Sequence, residues 1–202
     1  MACKLLLATN NAGKVREYRR LLAVPGIELV TPAELGIQTA VEETGETLEE
    51  NARIKATPLA VQSGLIALAD DSGLYVDALG GDPGVHSARY AGEHASDRER
   101  VAFLLNKLTG VPEEKRTAHF RCVIALATRA GEVAYAHGEC HGLIALDPRG
   151  DNGFGYDPLF YLPELGKTMA ELPSEMKDQV SHRGRAARQV PGLLQQAPFA
   201  CL

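Results

Sequence analysis

Two acidic pairs are the residues of this sequence with the clearest capacity for chemistry. Glu42 and Glu43 lie in a loop shortly before a glycine, and Asp70 and Asp71 follow a continuous apolar run. Carboxylate oxygens are the ligands that Mg²⁺ prefers, and the ion usually keeps positions for water and substrate phosphates. The alternative is that one aspartate caps the turn at residues 72–73 and that the glutamates are only solvated. The pairs therefore allow a magnesium site without requiring one.

A polar turn near the N-terminus could bind phosphate. It separates a short apolar run from a segment with helical spacing, and it consists of Thr9, Asn10, Asn11, Ala12, Gly13 and Lys14. The first N–H groups of a helix lack partners within the helix, and the helix dipole is positive there, so the position suits an anion. The turn is not a Walker A loop, because Val15 stands where that motif needs Ser or Thr. An ordinary turn with an asparagine cap is the alternative.

Two tracts in the last third of the chain could bind a purine base. Residues 151–158 combine glycines with an aromatic face at Phe154 and a carboxylate at Asp157. The alternative for this tract is a tight turn with buried aromatics. The second tract is predicted to lie in or near one helix and carries the cationic and donor side chains Lys177, His182 and Arg183. These groups could hydrogen-bond an oxygen-rich ligand, or they could form a solvated basic face.

Two other kinds of chemistry are disfavoured. His137, Cys140 and His141 might suggest zinc, but strand alternation places Cys140 on the face opposite the two histidines. No G-x-S-x-G elbow is present, and Ser72 has no histidine base that the sequence identifies. The sequence therefore argues against a zinc site built from those three residues and against covalent acyl transfer.

The elements that must position these residues alternate between strands and helices. Strands are predicted at residues 3–8, 27–30, 65–69, 74–79, 119–128 and 132–145, and helices at 14–22, 47–62, 96–108 and 173–189. This pattern places Asp70 and Asp71 at a strand end, and Pro58 is expected to weaken the second helix. The hairpin formed by the strands after residue 119 predicts a mixed sheet, hence an α/β fold.

Bulk properties limit the partners and the compartment. The 202 residues are 45% hydrophobic, so they can bury a substantial core, and the net charge is −5 with scattered Lys and Arg. That charge pattern excludes the basic stripe of a protein that binds a nucleic-acid polymer. No apolar stretch approaches a signal sequence or a membrane span, which predicts a cytoplasmic protein without a membrane partner. The four widely spaced cysteines, Cys3, Cys122, Cys140 and Cys201, are expected to be reduced thiols.

The motifs, taken in order, resemble one family of nucleotide hydrolases. They are T-x-N-x-x-K at residues 9–14, E-E-T-G at 42–45, E-N-A at 50–52, D-D-S-G-L at 70–74, F-G-Y-D-P at 154–158 and S-H-R-G at 181–184. Their order and spacing closely resemble the inosine-triphosphate pyrophosphatase family from about residue 3 to about residue 188. Asn10 departs from the glycine that is common there, and residues 198–202 have no counterpart.

The resemblance implies the fold, the reaction and the partners. It implies an elongated, twisted mixed β-sheet flanked by helices, with residues 1–202 forming a single domain of two lobes and an active-site cleft between them. It also implies Mg²⁺-dependent hydrolysis of aberrant purine nucleoside triphosphates (ITP, dITP and XTP) to the monophosphate and pyrophosphate. Such an enzyme cleanses the nucleotide pool and prevents misincorporation into DNA and RNA. A homodimer is the implied assembly.

The resemblance also implies a role for each motif residue. Glu42 and Asp71 would bind Mg²⁺, and Asp71 would orient or deprotonate the attacking water. The phosphates would contact the turn from Thr9 to Lys14 and also Lys55, and Ser72 would touch the substrate. Phe154 would stack on the base. The base pocket and its polar edge would comprise Phe154, Gly155, Tyr156, Asp157, Lys177, His182 and Arg183.

Two rival functions remain open at this point. A related pyrophosphatase that resembles septum inhibitors would act on modified pyrimidines, but the motifs at residues 154–158 and 181–184 argue against it, and turnover of ITP beside dTTP and UTP would decide. A non-catalytic nucleotide sensor would bind ITP tightly without releasing pyrophosphate. The presence of Glu42 and Asp71 makes the sensor less attractive.

Overall fold

The computed structural model describes residues 2–38, 41 and 43–201, and Glu42 lies outside these residues. Within them the strands are β1 (Cys3–Leu7), β2 (Ile27–Val30), β3 (Ile66–Val76), β4 (Pro83–Gly84), β5 (Thr117–Ala127), β6 (Val133–Ile144), β7 (Phe160–Leu162) and β8 (Lys167–Thr168). The α-helices are α1 (Ala12–Leu21), α2 (Leu48–Ser63), α3 (Asp97–Lys107), α4 (Ser174–Val180), α5 (His182–Ala187) and α6 (Val190–Leu193). Short 3₁₀ turns cover Ala33–Leu35, Asp77–Leu79, Ser87–Arg89, Glu113–Lys115 and Met169–Glu171.

The strands form one mixed sheet, as the predicted hairpin required. Its order is β2-β1-β3-β5-β6-β7-β8, with β4 paired to β3. β1 runs parallel to β2 and β3, whereas β7 is antiparallel to β6 and β8. Leu7 on β1 is level with Leu68 on β3, and the next residue, Ala8, donates its N–H to the Leu68 carbonyl at 2.7 Å. This register brings the polar turn that follows β1 close to Asp70 and Asp71.

The two aspartates do not lie at a strand end, so that prediction was wrong. β3 runs unbroken from Ile66 to Val76, with Asp70 and Asp71 near its middle. Both are buried, with 2% and 6% of their surface exposed. An acidic pair usually ends a strand because water solvates it, but cationic and amide side chains surround this pair and allow the extended backbone to continue.

The helix predicted at residues 47–62 is confirmed as α2, whereas the helix predicted near the C-terminus was wrong. α2 continues through Pro58 to Ser63, with a capping box between Thr47 and Glu50 at its start and a buried face along its length. The helix predicted at residues 173–189 is two helices, since α4 ends before the extended residue Ser181 and α5 begins at His182. The break places Lys177 on a different helix from His182.

The chain divides into two compact units. The first comprises the described residues of Met1–Asp71, Cys122–Gly138 and Arg183–Leu202. Its core packs α1 and the C-terminal segment against β1, β3, β5 and β6, with Tyr18, Leu22 and Ile124 fully buried. The prediction that all four cysteines are reduced was wrong, because Cys3 and Cys201 form a disulfide. The two cysteines are 198 residues apart, so the spacing of cysteines in the sequence gives no indication that they pair.

The second unit comprises Ser72–Arg121 and Glu139–His182. α3 follows its N-cap Ser96, where the predicted helix begins, and its buried residues Val101 and Leu104 join a core that includes Phe160 and Leu172. Among the described residues, no helix combines the length and the apolar character needed to cross a bilayer. The organisation as one domain of two lobes stays a prediction.

Candidate active site

The polar turn after β1 is built as a helix N-terminus. Asn11 is the N-cap of α1, and its Oδ1 accepts a hydrogen bond from the Lys14 N–H at 3.0 Å. Thr9 Oγ1 accepts from the Asn11 N–H at 3.2 Å. Asn10, Asn11 and Ala12 are exposed, whereas Gly13 is buried against the first unit. The predicted strand, turn and helix are therefore confirmed, and the first N–H groups of α1 lie at an exposed turn that suits an anion.

Asp70 forms ion pairs with Lys14, at the end of this turn, and with the buried Arg183. Its Oδ1 lies 2.9 Å from Lys14 Nζ, and its Oδ2 lies 3.2 Å from Arg183 Nη2. Burial on its own would raise the pKa of Asp70, but the Lys14 and Arg183 cations outweigh it and hold that pKa well below the ordinary value. Asp70 is thus a permanent anion that orients two cations.

Arg183 lies in the same buried network. Its Nη1 donates to Glu17 Oε2 at 2.7 Å, and its Nε and Nη2 donate to Asp70 Oδ2. Burial alone would lower the pKa of Arg183, but Asp70 and Glu17 raise it well above the usual value. The guanidinium is therefore committed to two carboxylates of the first unit, an arrangement that the sequence did not predict.

Asp71 points to the opposite side of β3 from Asp70, because successive strand residues alternate. Its Oδ1 lies 2.8 Å from Lys55 Nζ, and its Oδ2 accepts from Asn51 Nδ2 at 3.3 Å. Burial raises the pKa of Asp71 above its ordinary value, and the lysine cations offset that rise only in part. A buried carboxylate with a raised pKa is a common feature of functional sites.

Lys55 links Asp71 to the acidic loop. Its Nζ also lies 3.0 Å from Glu43 Oε1. Burial alone would lower the pKa of Lys55, but the Asp71 and Glu43 carboxylates raise it. The carboxylates of Asp71 and Glu43 therefore both contact the Lys55 ammonium. Carboxylate oxygens are the hard ligands that Mg²⁺ prefers. The predicted ligand Glu42 falls outside the described residues, and its neighbour Glu43 is the glutamate that shares Lys55 with Asp71.

Asn51 explains two of the sequence motifs at once. It is fully buried on α2, its Oδ1 accepts from the Gly45 N–H at 2.8 Å, and its Nδ2 donates to Asp71. A Cβ at residue 45 would come within 2.7 Å of Asn51 Oδ1, so the loop can approach only with a glycine there. The side chain thus fixes the acidic loop to the carboxylate on β3.

The second unit carries most of the residues predicted for the base. Asp157 and Lys177 are buried, with 3% and 4% of their surface exposed, and Lys177 Nζ lies 2.5 Å from Asp157 Oδ2. The same oxygen accepts from the Phe154 N–H at 2.8 Å, and the ammonium lies 5.1 Å from the centre of the Phe154 ring. Gly153 has a φ of +80°, and a Cβ there would overlap the Asp157 carboxylate. The half-buried Phe154 ring is therefore held beside a buried ion pair.

Four further predicted residues lie in this second unit. His182 is buried and stacks on Phe120, with ring centres 4.5 Å apart and planes 12° apart. Tyr156 donates its hydroxyl to the Ser87 carbonyl at 3.0 Å, so it is a structural anchor. The Gly155 N–H donates to an Asp97 carboxylate oxygen at 2.7 Å. Ser72 lies half-buried on β3.

Two residues of the first unit escaped the sequence analysis of roles. Asn51 was part of a matched motif but had no assigned function, and Glu17 was not singled out. The available signal for Glu17 was its position on the buried face of α1, beside Gly13 and Tyr18. A glutamate on such a face indicates a buried cationic partner, because an isolated charge is seldom buried.

Comparison with known proteins identifies the family. The Ham1 family model matches residues 5–192. A curated relative from Yersinia pseudotuberculosis named dITP/XTP pyrophosphatase is 53% identical over 196 residues, which cover 96% of this chain and 99% of the relative. Another of that name from Geobacillus kaustophilus is 52% identical over 91% of this chain and 90% of its own length. A solved HAM1 protein from Coxiella burnetii has a TM-score of 0.86 at 44% identity and covers 96% of this chain and 100% of that chain. The chain therefore belongs to the Ham1 family.

Proposed function

We propose that this chain is a dITP/XTP pyrophosphatase. It hydrolyses ITP, dITP and XTP to the monophosphate and pyrophosphate and so removes aberrant purines from the nucleotide pool. The observation that carries the proposal is the buried Asp71, whose carboxylate shares the Lys55 cation with Glu43. Full-length relatives with this name support the choice of substrates.

The triphosphate is assigned to the turn that follows β1 and to Lys55 on α2. The exposed turn from Thr9 to Gly13 supplies backbone N–H donors, and Lys14 and Lys55 supply positive charge. Attack at the α-phosphorus places negative charge on the phosphate oxygens in the transition state, where positioned cations stabilise it. Asp71 orients the attacking water and accepts its proton, and Ser72 touches the substrate. The bond that breaks joins the α-phosphorus to the bridging oxygen of the leaving pyrophosphate.

The proposal includes Mg²⁺ held by carboxylates of the first unit. Asp71, Glu42 and Glu43 are the candidate ligands, and Asp70 is excluded because Lys14 and Arg183 already occupy it. When bound, Mg²⁺ would neutralise phosphate charge and leave coordination positions for water and substrate. Asn51 hydrogen-bonds both Asp71 and the Gly45 N–H, so it holds the Asp71 carboxylate near the acidic loop.

The base is assigned to the residues around Phe154 and to His182. Phe154 provides a half-buried face for stacking, and Asp157 and Lys177 form the buried polar pair beside it. His182 contributes a donor for the C6 oxygen that ITP and XTP carry. An amino group at C6 would leave such a donor unpaired, at a cost of about 1–3 kcal/mol for each donor. Arg183 acts through Asp70 as a positioning residue.

A substrate panel tests the proposed function. Pyrophosphate release is measured for ITP, dITP, XTP, ATP, dTTP and UTP, each with Mg²⁺ and with excess chelator. We expect rapid turnover of the first three only, and none without the ion. Preferred turnover of dTTP or UTP would establish the pyrimidine rival, and tight ITP binding without pyrophosphate release would establish the sensor.

Lys14→Gln is expected to raise the KM for ITP. The substitution removes the cation at the phosphate turn, and a hydrogen bond to a charged group contributes about 1.5–3 kcal/mol, so the increase is about tenfold or more. The change in kcat is smaller. Steady-state kinetics measure both constants, with Lys4→Gln as the control because Lys4 forms an exposed pair with Glu28. An unchanged KM would remove Lys14 from the phosphate site.

His182→Ala is expected to narrow the preference for ITP over ATP. The loss of one donor to the C6 oxygen lowers the ratio of the two kcat/KM values by about tenfold. The control is His94→Ala, because His94 is exposed in the same unit. A ratio equal to that of the unmodified protein would assign base recognition to other residues.

The assembly and location complete the proposal. We expect a homodimer, as the family resemblance implies, and light scattering of the purified chain measures its mass directly. The purine pool on which the reaction acts implies a cytoplasmic location.

A further inference from the structure

Three side chains able to bind a metal ion meet in the second unit, and none of them is assigned to the reaction. They are His119 on β5 and Glu139 and His141 on β6, and their ligand atoms all lie within 4.8 Å of one another. β5 and β6 are neighbours in the sheet, and residues two apart on a strand share a face. Cys140, which lies between the two β6 residues, is buried in the core instead.

We propose that His119, Glu139 and His141 bind a divalent transition-metal ion of the Zn²⁺ class. Two imidazole nitrogens and one carboxylate oxygen form a set that suits such an ion, with a fourth position left for water. Mg²⁺ prefers oxygen ligands and would bind this set poorly. The trio differs from the set of His137, Cys140 and His141 that strand alternation argued against, because its members share one side of the sheet.

The spacing of the donors fits this ion after small side-chain rotations. Two ligand atoms that each lie about 2.1 Å from an ion can be at most about 4.2 Å apart. His141 Nε2 and Glu139 Oε1 are already 2.8 Å apart, so these two donors converge on one point. Their side chains are 74% and 43% exposed, which leaves them room to rotate toward the third donor. Rotation of these two exposed side chains can bring their ligand atoms closer to His119.

His119 is the fixed member of the trio. Its ring stacks on Tyr75 with centres 5.1 Å apart and planes 6° apart, and it lies 5.5 Å from the His141 ring. The Arg121 guanidinium lies 5.8 Å from the Tyr75 ring on the side of the sheet that alternation gives to His119. The carboxylate of Glu139 would offset part of the positive charge that Arg121 and the bound ion bring to this side of the sheet.

Zinc titration of the untagged full-length chain tests the proposal. Isothermal titration calorimetry is performed in excess Mg²⁺, so that the carboxylates of the first unit are not available to zinc. We expect one saturable Zn²⁺ per chain and a rise in the melting temperature, because an ion that binds only the folded state stabilises it. Cobalt substitution should give the visible absorption of a tetrahedral site.

Matched variants locate the ion. His141→Ala is the primary variant because its ring is largely exposed, so the fold should not change. Loss of one ligand should weaken zinc binding by about tenfold or more, given that even outer partners of metal ligands account for about ten- to hundredfold. Glu139→Gln should weaken it as well. His137→Ala is the control, because His137 lies on the same strand but its Nδ1 lies 3.6 Å from Glu49 Oε1.

Two results would overturn the proposal. The first is the absence of saturable zinc binding to the unmodified chain in excess Mg²⁺. The second is equal zinc affinity in the unmodified chain and His141→Ala, which would place the ion elsewhere. Pyrophosphate release is not a readout here, so the outcome is independent of the proposed hydrolysis.

Discussion

We expect the replacement of Asp71 by asparagine to lower kcat for ITP by about a thousandfold or more while the protein remains folded. Asparagine has nearly the same shape and can still accept the hydrogen bond from Asn51, but it can neither take a proton nor supply a negative metal ligand. A general base contributes about 10²–10⁴-fold, and the loss of a metal ligand adds to this. The measurement is pyrophosphate release at saturating ITP and Mg²⁺.

Thermal unfolding separates this loss of activity from a loss of structure. Burial raises the pKa of Asp71, which means that its negative charge is unfavourable in the folded protein. Asparagine removes that charge, and Lys55 retains Glu43 as a partner. We therefore expect a melting temperature close to that of the unmodified protein. Asp147→Asn, at an exposed position, is the control, and a near-normal kcat for Asp71→Asn would refute the assignment.

We expect the replacement of Arg183 by methionine to destabilise the protein by about 3–5 kcal/mol. The substitution fills much of the same volume but leaves the carboxylates of Glu17 and Asp70 without the guanidinium that bonds both. Side chains of this network are almost fully buried, so water cannot replace the lost hydrogen bonds easily. Denaturant unfolding of the two proteins measures the difference.

A second substitution tests whether the buried charges cause the loss. Glu17→Gln combined with Arg183→Met should cost less than the sum of the single changes, because the uncompensated Glu17 charge is gone. Arg183→Lys should cost less than Arg183→Met, since it keeps the charge but loses the fork of donors. A change below about 1 kcal/mol for Arg183→Met would show that the network is not important for stability.

The contrast between Asp70 and Asp71 shows how far residue types predict roles. The sequence identified both as one acidic pair, and the family resemblance chose Asp71 as the catalytic group. β-strand alternation then sends them to opposite faces, where Asp70 contacts Lys14 and Arg183 and Asp71 contacts Lys55 and Asn51. Their pKa values consequently move in opposite directions. Only the partners, which come from distant segments, distinguish the two carboxylates.

Arg183 shows a limit of reading neighbouring residues together. The sequence placed Lys177, His182 and Arg183 in or near one helix and gave them a common task at the base. The structure ends α4 before Ser181, so Lys177 pairs with Asp157 while Arg183 pairs with Glu17 and Asp70. The break lies at Ser181, whose backbone is extended between the two helices.

The sequence by itself determined the α/β class, the hairpin, the helix α3, the polar turn before α1 and the family, since each depends on local residue patterns or on the order of motifs. Only the tertiary structure decided the unbroken strand through Asp70, the sharing of Lys55 by Glu43 and Asp71, the disulfide between Cys3 and Cys201, and the meeting of His119 with His141. These features join residues that are distant in sequence or lie on different strands. Their formation depends on sheet register and on the burial of charge beside opposite charge, which no local pattern encodes.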